Sequence, residues 1–432
     1  MRGRSPASID TTPPGRGQLL INCARSINPW WYASAVALTW AFFQTFDFLY
    51  SQWFVNIRVD EGQAPFIRAF HLTNVTLIGL AIVCCGLLKN GSVDRARGRL
   101  RQLTIALPLA IFLGLHFYIW WVSQRSAWLW VEDVGKSTVI ADRALARGQD
   151  PYAIHSDPVV SDITAANLHG YKYFPLMMAA YAPAVAVETD GDKAILLANL
   201  VFSLIAAAVL AASGARWISP DAGMLCALLF FMSRLNSEEL LERGSNDVVP
   251  MILVVLALLC IDARFLCGLL IGLAISSKMM PALLWIAFCL MPRNRSRYFG
   301  GVAAGLLPCL PFLLWHPGAF VRNAVLFPLT RPREWQSLFW QAPPWMGMSA
   351  KLVVLLIFMM FALRRWRRDM PPLRRCTCAA LLTLCFELAS PILHQNYFIW
   401  WYMPFCVAFT ALIFDPVSYN WISRGRGATG SL

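Results

Sequence analysis

Charged side chains are what this sequence has least of. Only 14% of its 432 residues are Asp, Glu, Lys or Arg, against 58% hydrophobic residues, and the mean hydropathy is +0.53. Soluble domains carry about 25% charge, so this balance excludes an ordinary soluble enzyme and points to a polytopic integral membrane protein. Histidine is also scarce, at six residues, and no Cys-x-x-Cys pair occurs, so no zinc framework is offered. Most of the twelve cysteines lie in apolar runs (Cys84, Cys226, Cys260 and Cys406 among them), and none lies in the loops placed outside below. A disulfide-stapled scaffold is thereby excluded. Acid is rarer than base, 24 residues against 37, which leaves a formal charge of +13. The basic residues sit in short clusters between apolar runs, the pattern of topology-setting loops, so no nucleic-acid partner is expected. Residues 1–28 lack the h-region and cleavage site of a signal peptide. They read as a disordered basic cytoplasmic stretch before a retained membrane anchor.

What is present is apolar sequence in repeated runs. They lie at about 30–50, 70–88, 103–123, 193–213, 221–234, 247–261, 265–277, 281–291, 298–315, 349–363, 376–390 and 397–415, several shorter than the roughly 20 residues a straight span needs. The expected fold is an all-α bundle of about twelve transmembrane helices with interfacial helices added. Arg95, Arg97, Arg99 and Arg101, then Arg293, Arg295 and Arg297, then Arg364, Arg365, Arg367 and Arg368 mark loops on one side, with both termini cytoplasmic. That parity forbids the stretch "YFPLMMAAYAPAVAVE" at 173–188 from crossing. Its Pro175 and Pro183 and its shortness fit a re-entrant or interfacial helix. Two long loops then fall outside, 124–172 (extended to about 192) and 316–348, with shorter outer turns at 51–69, 235–246 and 391–396.

The outer loops hold the candidate chemistry. Glu132 and Asp133 follow the 103–123 run, and either carboxylate could be a general base or a helix cap. From Val134 to Arg147 the spacing of Val139, Ile140, Ala144 and Leu145 predicts a surface helix that Gly148 ends, with "QDPY" as a turn. Asp150 and Tyr152 are expected to fix that turn. Lys278, in "GLAISSKMMPALLW", would sit at the outer rim and either neutralise a lipid-linked phosphate or snorkel. Arg243, Asn246 and Asp247 close another helix end, where Asn246 and Asp247 could cap the helix that follows. His394, Asn396 and Tyr397 occupy a tight turn that could bind sugar or phosphate, or belong to an interfacial aromatic belt with Trp400 and Trp401. No acidic cluster commands a metal, although Glu132 with Asp133 could hold a divalent ion.

The ordered landmarks "ARGQDPY", "YKYFPLMMAAYAP", "GSNDVVPMILVVLAL", "GLLIGLAISSKMMPALLWI", "PRNRSR" and "SPILHQNYFIWWYMP" resemble glycosyltransferase family 87 of the GT-C superfamily, over roughly 103–415. The resemblance implies a membrane enzyme that takes a sugar, mannose or another hexose or pentose, from a polyprenyl-phosphate donor. A lipid or glycan acceptor would receive it on the extracytoplasmic face of a bacterial inner membrane. Residue by residue it implies Asp133 as base, with Glu132 as the alternative. Lys278 falls at the donor phosphate with His394 nearby, and Arg243, Lys172, Asn246, Asn396 and Tyr152 complete the substrate-binding set. Ser137 and Thr138 depart from the family, which often has a Tyr there. Two spans within 29–92 precede the family's usual first helix, the catalytic part covers 93–415, and 416–432 is a cytoplasmic tail. No cofactor is implied. The rival reading is a transporter or flippase of lipid-linked sugar precursors, which would call for mid-membrane charges and an internal repeat.

Overall fold

The computed structural model describes residues 94–125, 131, 133–154, 170–282, 295–330, 342–365, 372–390 and 397–414. The runs at 30–50 and 70–88, most of the run at 281–291, the tail, Glu132, His394 and Asn396 lie outside the described residues. Among the described residues the fold is helical, with no strand. In chain order the helices are α1 Asp94–Ser123, α2 Asp133–Ala146, α3 Pro175–Val187, α4 Gly191–Trp217, α5 Pro220–Met232, α6 Arg234–Leu241, α7 Val248–Leu259 and α8 Arg264–Ser277. They continue with α9 Arg295–Gly305, α10 Leu310–Trp315, α11 Pro317–Phe320, α12 Phe327–Thr330, α13 Pro344–Arg365, α14 Pro372–Leu388 and α15 Phe398–Phe414.

Among the described residues, three stretches are long and apolar enough to cross a membrane: Ile105–Ser123, Gly191–Trp217 and Arg295–Trp315. The protein is an integral membrane protein. The stretch at 173–188, expected not to cross, forms a short apolar helix. Its helix α3 has 13 residues, about 20 Å at 1.5 Å per residue, well short of a hydrocarbon core about 30 Å thick. Pro175 starts it at the first turn, where a missing N–H costs nothing.

Local chemistry fixes the other boundaries. Asp190 caps α4 by accepting from the N–H groups of Asp192 and Lys193 at 3.0 and 3.3 Å. Ser219 caps α5 through Ala222 N at 3.2 Å. Gly148 ends α2 with φ +73°, Gly148 N bonding to Leu145 O at 2.9 Å and Gln149 N to Ala144 O at 3.0 Å. That is a Schellman ending, and it needs a left-handed residue that glycine supplies without a steric penalty.

One expectation needs correction. The segment 235–246 is not an open turn, because α6 fills its first half and Ser237, Glu238 and Glu239 are buried. Its charges suggest solvent, but Arg243 folds back on both glutamates, which lets them leave water. Within the outer loop at 316–348, the described residues 317–330 are helical: α11, a π-helical stretch Val321–Leu326 and α12 run on without a break. Apolar side chains at Phe320 and Ala324 bury this stretch against Tyr152, Tyr171 and Phe174.

Helices α8 and α9 pack with their backbones in contact. A Cβ added at Gly268 or Gly272 would meet the carbonyl oxygens of Tyr298 and Val302 at 2.1 and 2.3 Å, and one at Gly301 or Gly305 those of Phe265 and Leu269 at 2.1 and 2.4 Å. Reciprocal glycines four apart let two backbones touch, the main source of packing between helices in lipid. The contacts advance together along both helices, so α8 and α9 run parallel. Lys278 and Arg295 therefore stand at opposite ends of the bundle. The end opposite Lys278 also holds the Arg216–Asp262 pair at 3.8 Å, which joins the end of α4 to the link between α7 and α8.

Candidate active site

The C-terminus of α8 delivers Lys278 to one end of the bundle, where the start of α7, the start of α15 and the segment before α3 also arrive. Lys278 is 9% exposed. Its ammonium forms an ion pair with Asp247 Oδ1, which is fully buried, and donates to Asn246 Oδ1 at 3.3 Å. Three rings wall it in: Tyr173 at 4.8 Å, Trp400 at 5.5 Å and Tyr397 at 5.8 Å from ring centroid to Nζ. Aromatic faces replace part of the hydration that burial removes from a cation.

Asp247 is held as firmly as the lysine. Trp400 Nε1 donates to its Oδ1 at 2.6 Å and Ser245 Oγ to its Oδ2 at 3.1 Å. Sequence alone suggests that Asp247 and Asn246 cap the following helix. Asp247 does stand at the N-cap of α7, but its side chain makes no capping bond. A buried ammonium needs a counter-charge more than a helix end needs a cap, because an unpaired buried charge costs more than an unmade cap.

The turn before α7 is shaped by Gly244, at φ +73°. A side chain there would drive a Cβ to 2.7 Å from Ile195 and 2.8 Å from Val131. Beneath it Asn199 of α4 donates to Leu240 O at 2.9 Å and Ser245 O at 2.8 Å, and accepts from the Tyr181 hydroxyl. This buried network joins α3, α4 and α6 under the site.

On the other side of the turn lies α2. Thr138, fully buried, accepts from Asn246 Nδ2 at 3.2 Å. Its own proton goes to Val134 O at 2.9 Å, so the Tyr171 hydroxyl, 3.4 Å away, is the donor in that contact. Burial pushes the Tyr171 phenol up, with the Thr138 contact opposing and the Asp142 charge adding to the rise. It therefore stays a neutral donor. Asp133 opens α2 as an exposed acidic residue in its first turn, where the helix dipole favours negative charge. Five residues separate it from Thr138, about 7.5 Å along the axis and roughly 140° round it.

The other predicted residues divide. Lys278 and Asn246 come together, with Tyr173 and Asp247 as neighbours. Lys172 is half-buried, its ammonium 4.5 Å from the Phe327 ring centroid. Tyr152 is a core residue. Its hydroxyl donates to Tyr173 O at 2.8 Å, and its ring packs against Phe320 and Phe312 with centroids at 5.0 and 5.5 Å. Asp150 fixes the turn as expected by accepting from Tyr152 N at 3.0 Å, and its second oxygen meets His316 Nδ1 at 2.5 Å. Arg243 turns toward α6, where its guanidinium engages Glu238 at 2.8 Å and Glu239 at 3.7 Å. Sequence reasoning does not single out Thr138, Asp247 or Trp400 for the site. The signal for Trp400 is present in "NYFIWWY" but is shared with any interfacial belt. Among the described residues no group of three or more His, Cys, Asp or Glu is placed to hold a metal ion.

The sequence model of glycosyltransferase family 87 matches residues 171–391, just over half of the chain. The chain belongs to glycosyltransferase family 87. The match takes in Lys278, Asp247, Asn246 and Tyr173 and ends before Trp400, so most of the ion-pair site belongs to the family 87 region, whereas α2 precedes it. The fold resembles that of ArnT from Cupriavidus metallidurans, a GT-C fold. The structure of ArnT bound to undecaprenyl phosphate aligns with a TM-score of 0.51 at 16% identity, over 70% of this chain and 59% of that one. ArnT in the apo state gives 0.48 at 18% identity, over 70% and 58%. The family 87 chain thus spans less than two thirds of ArnT's length. A search of curated proteins finds no match.

Proposed function

We propose that this protein transfers a sugar from a polyprenyl-phosphate donor to a hydroxyl of a lipid or glycan acceptor, with inversion, on the extracytoplasmic face of a bacterial inner membrane. The observation that carries the reading is the buried Lys278 ammonium, held by Asp247 and Asn246 within three aromatic rings at one end of a membrane bundle. A fixed cation at that level can neutralise a lipid-linked phosphate, and the rings offer faces to an isoprenoid or a sugar. ArnT, whose fold this chain resembles, binds undecaprenyl phosphate, which supports a donor of this class. Both termini are read as cytoplasmic, and 93–415 as the catalytic part behind two further spans at 29–92.

In this reading Asp133 takes the proton of the acceptor hydroxyl as that oxygen attacks the anomeric carbon. The carbon–oxygen bond to phosphate breaks, and polyprenyl phosphate leaves with the electron pair. Lys278 balances the charge that grows on the leaving phosphate, and Lys172, His394 and Asn396 are assigned to the donor with it, the last two lying outside the described residues. Glu132, beside Asp133, is the alternative base. A phosphate leaves without much acid assistance, so one carboxylate suffices where a glycosidase needs two. The reading calls for no cofactor.

The test is incubation of the purified protein with a panel of undecaprenyl-phosphate sugars, mannose first, and a membrane lipid extract. Inverted glycolipid products are expected, and they should disappear with Asp133→Asn. Undiminished transfer by that variant would remove Asp133 as base. No transfer from any donor, together with lipid scrambling in vesicles, would favour the flippase reading.

A further inference from the structure

The proposed base and the buried cation stand on different helices, and one hydroxyl lies between them. Lys278 Nζ donates to Asn246 Oδ1 at 3.3 Å. The other end of the same amide, Nδ2, donates to Thr138 Oγ1 at 3.2 Å, and the Thr138 proton goes to Val134 O at 2.9 Å. Three donor bonds thus run in one direction from the ammonium to the first turn of α2, ending one residue from Asp133. The two ends of an amide are chemically distinct, so Asn246 satisfies both partners in a single orientation. Bonds aligned in this way polarise one another, and both Asn246 and Thr138 are fully buried.

Two further contacts of this turn of α2 do not reach the cation. Lys136 pairs with Asp192 at 3.8 Å with both side chains about a third exposed, an ion pair of small worth. Gly135 lies against the Gly244 carbonyl, where an added Cβ would come within 2.7 Å, a close fit with no polar direction. Thr138 is a buried polar link from α2 to the turn that holds Lys278.

The geometry points to Thr138 as a positioning residue that sets the Asp133 carboxylate against a sugar-phosphate held at Lys278. The inference rests on the assignment of Asp133 as base. Replacing the hydroxyl by a methyl leaves the Asn246 N–H and the Tyr171 hydroxyl facing carbon and removes the side-chain bond between α2 and the turn that holds Lys278. Displacement of a reacting group by about 1 Å costs on the order of a hundredfold in rate.

The experiment compares wild type, Thr138→Val, Thr138→Ser, Asp133→Asn and the Thr138→Val/Asp133→Asn double variant, all full-length in nanodiscs. It reads kcat and KM with the donor turned over by wild type, and the dissociation constant of undecaprenyl phosphate. Thr138→Val should lower kcat at least about tenfold while KM and undecaprenyl phosphate affinity stay within about twofold. Thr138→Ser should keep kcat within about threefold of wild type. In the Asp133→Asn background the valine should cost almost nothing more, because a residue acting through Asp133 then has no base left to act on. If the valine variant does not fold, Thr138→Ala supplies the same comparison. An unchanged kcat with valine or alanine, failure of serine to restore it, or a full additional loss in the double variant overturns the inference. Loss of transfer in Asp133→Asn with full transfer in Thr138→Val refutes the positioning role and leaves the base standing. Full transfer in Asp133→Asn refutes both.

Discussion

Lys278 and Asp133 stand toward the same end of the bundle in opposite physical circumstances. The lysine is out of water, paired with a carboxylate that is itself fully buried and ringed by Tyr173, Tyr397 and Trp400. The aspartate is exposed on the first turn of a helix whose opposite face is packed. Each sits where a helix dipole favours its charge, the cation at a C-terminus and the anion at an N-terminus. Burial makes the difference: the lysine is bound into the stability of the fold, whereas the aspartate lies at its surface. A fixed charge can stabilise a leaving group only if it does not move, while a base must meet a substrate that comes and goes.

Lys278→Met should show the largest effect of breaking that contrast. It strands the Asp247 carboxylate, at a cost of about 3–5 kcal/mol, and removes the charge proposed to meet the donor phosphate. Thermal unfolding in detergent should fall sharply and transfer should vanish. In the Lys278→Met/Asp247→Leu double variant no charge is stranded, so unfolding should return most of the way to wild type while transfer stays absent. Recovery of both would place Lys278 in the scaffold alone.

Asp133→Asn comes next and affects the opposite property. A general base contributes about 10²–10⁴ in rate, so transfer should drop by that factor. The unfolding midpoint should stay within about a degree, since an exposed residue with an isosteric replacement leaves packing intact. A large loss of stability would mean that Asp133 is part of the framework after all.

Trp400→Phe tests the wall of the lysine box. The ring stays, but the 2.6 Å donor bond to Asp247 is lost, and hydrogen bonds to charged groups are worth about 1.5–3 kcal/mol. Unfolding should move by that amount. The dissociation constant of undecaprenyl phosphate should weaken only a few-fold, because the cation keeps its carboxylate.

How much of this is legible in sequence follows from the range of each interaction. The start and end of α2 are readable because Gly148 and the acidic first turn act on their own neighbours. The shortness of α3 is readable because Pro175 at its start and the polar residues after Val187 are local facts. Lys278 is placed at the rim by two flanking apolar runs. Its partner is not readable, since nothing periodic links positions 247 and 278, and the capping rule points Asp247 elsewhere. Thr138 escapes for a related reason. The apolar spacing suggests a face of Val139, Ile140, Ala144 and Leu145, whereas the buried face is Gly135, Thr138, Val139, Ala141 and Ala144. A small polar residue on a packed face is invisible until its partner, 108 positions away, is in place.

The smallest effect is expected at the far end of α2 from Asp133. Asp150 follows the Schellman ending of that helix, whose 14 residues extend about 20 Å at 1.5 Å per residue. Its Oδ1 accepts from Tyr152 N at 3.0 Å and its Oδ2 meets His316 at 2.5 Å. Asp150→Asn keeps an oxygen for the Tyr152 N–H and so keeps the turn. It weakens one link, between an Asp150 side chain that is 5% exposed and a His316 side chain that is 54% exposed, at the end of α2 remote from the proposed base. Transfer should therefore fall by no more than about threefold, against the 10² or more expected for Asp133→Asn. The two aspartates bracket one helix, so their ratio measures how far chemistry is confined to its first turn. Equal losses in the two variants would mean that α2 acts as a single rigid lever, and that the exposed carboxylate at its start is not the base.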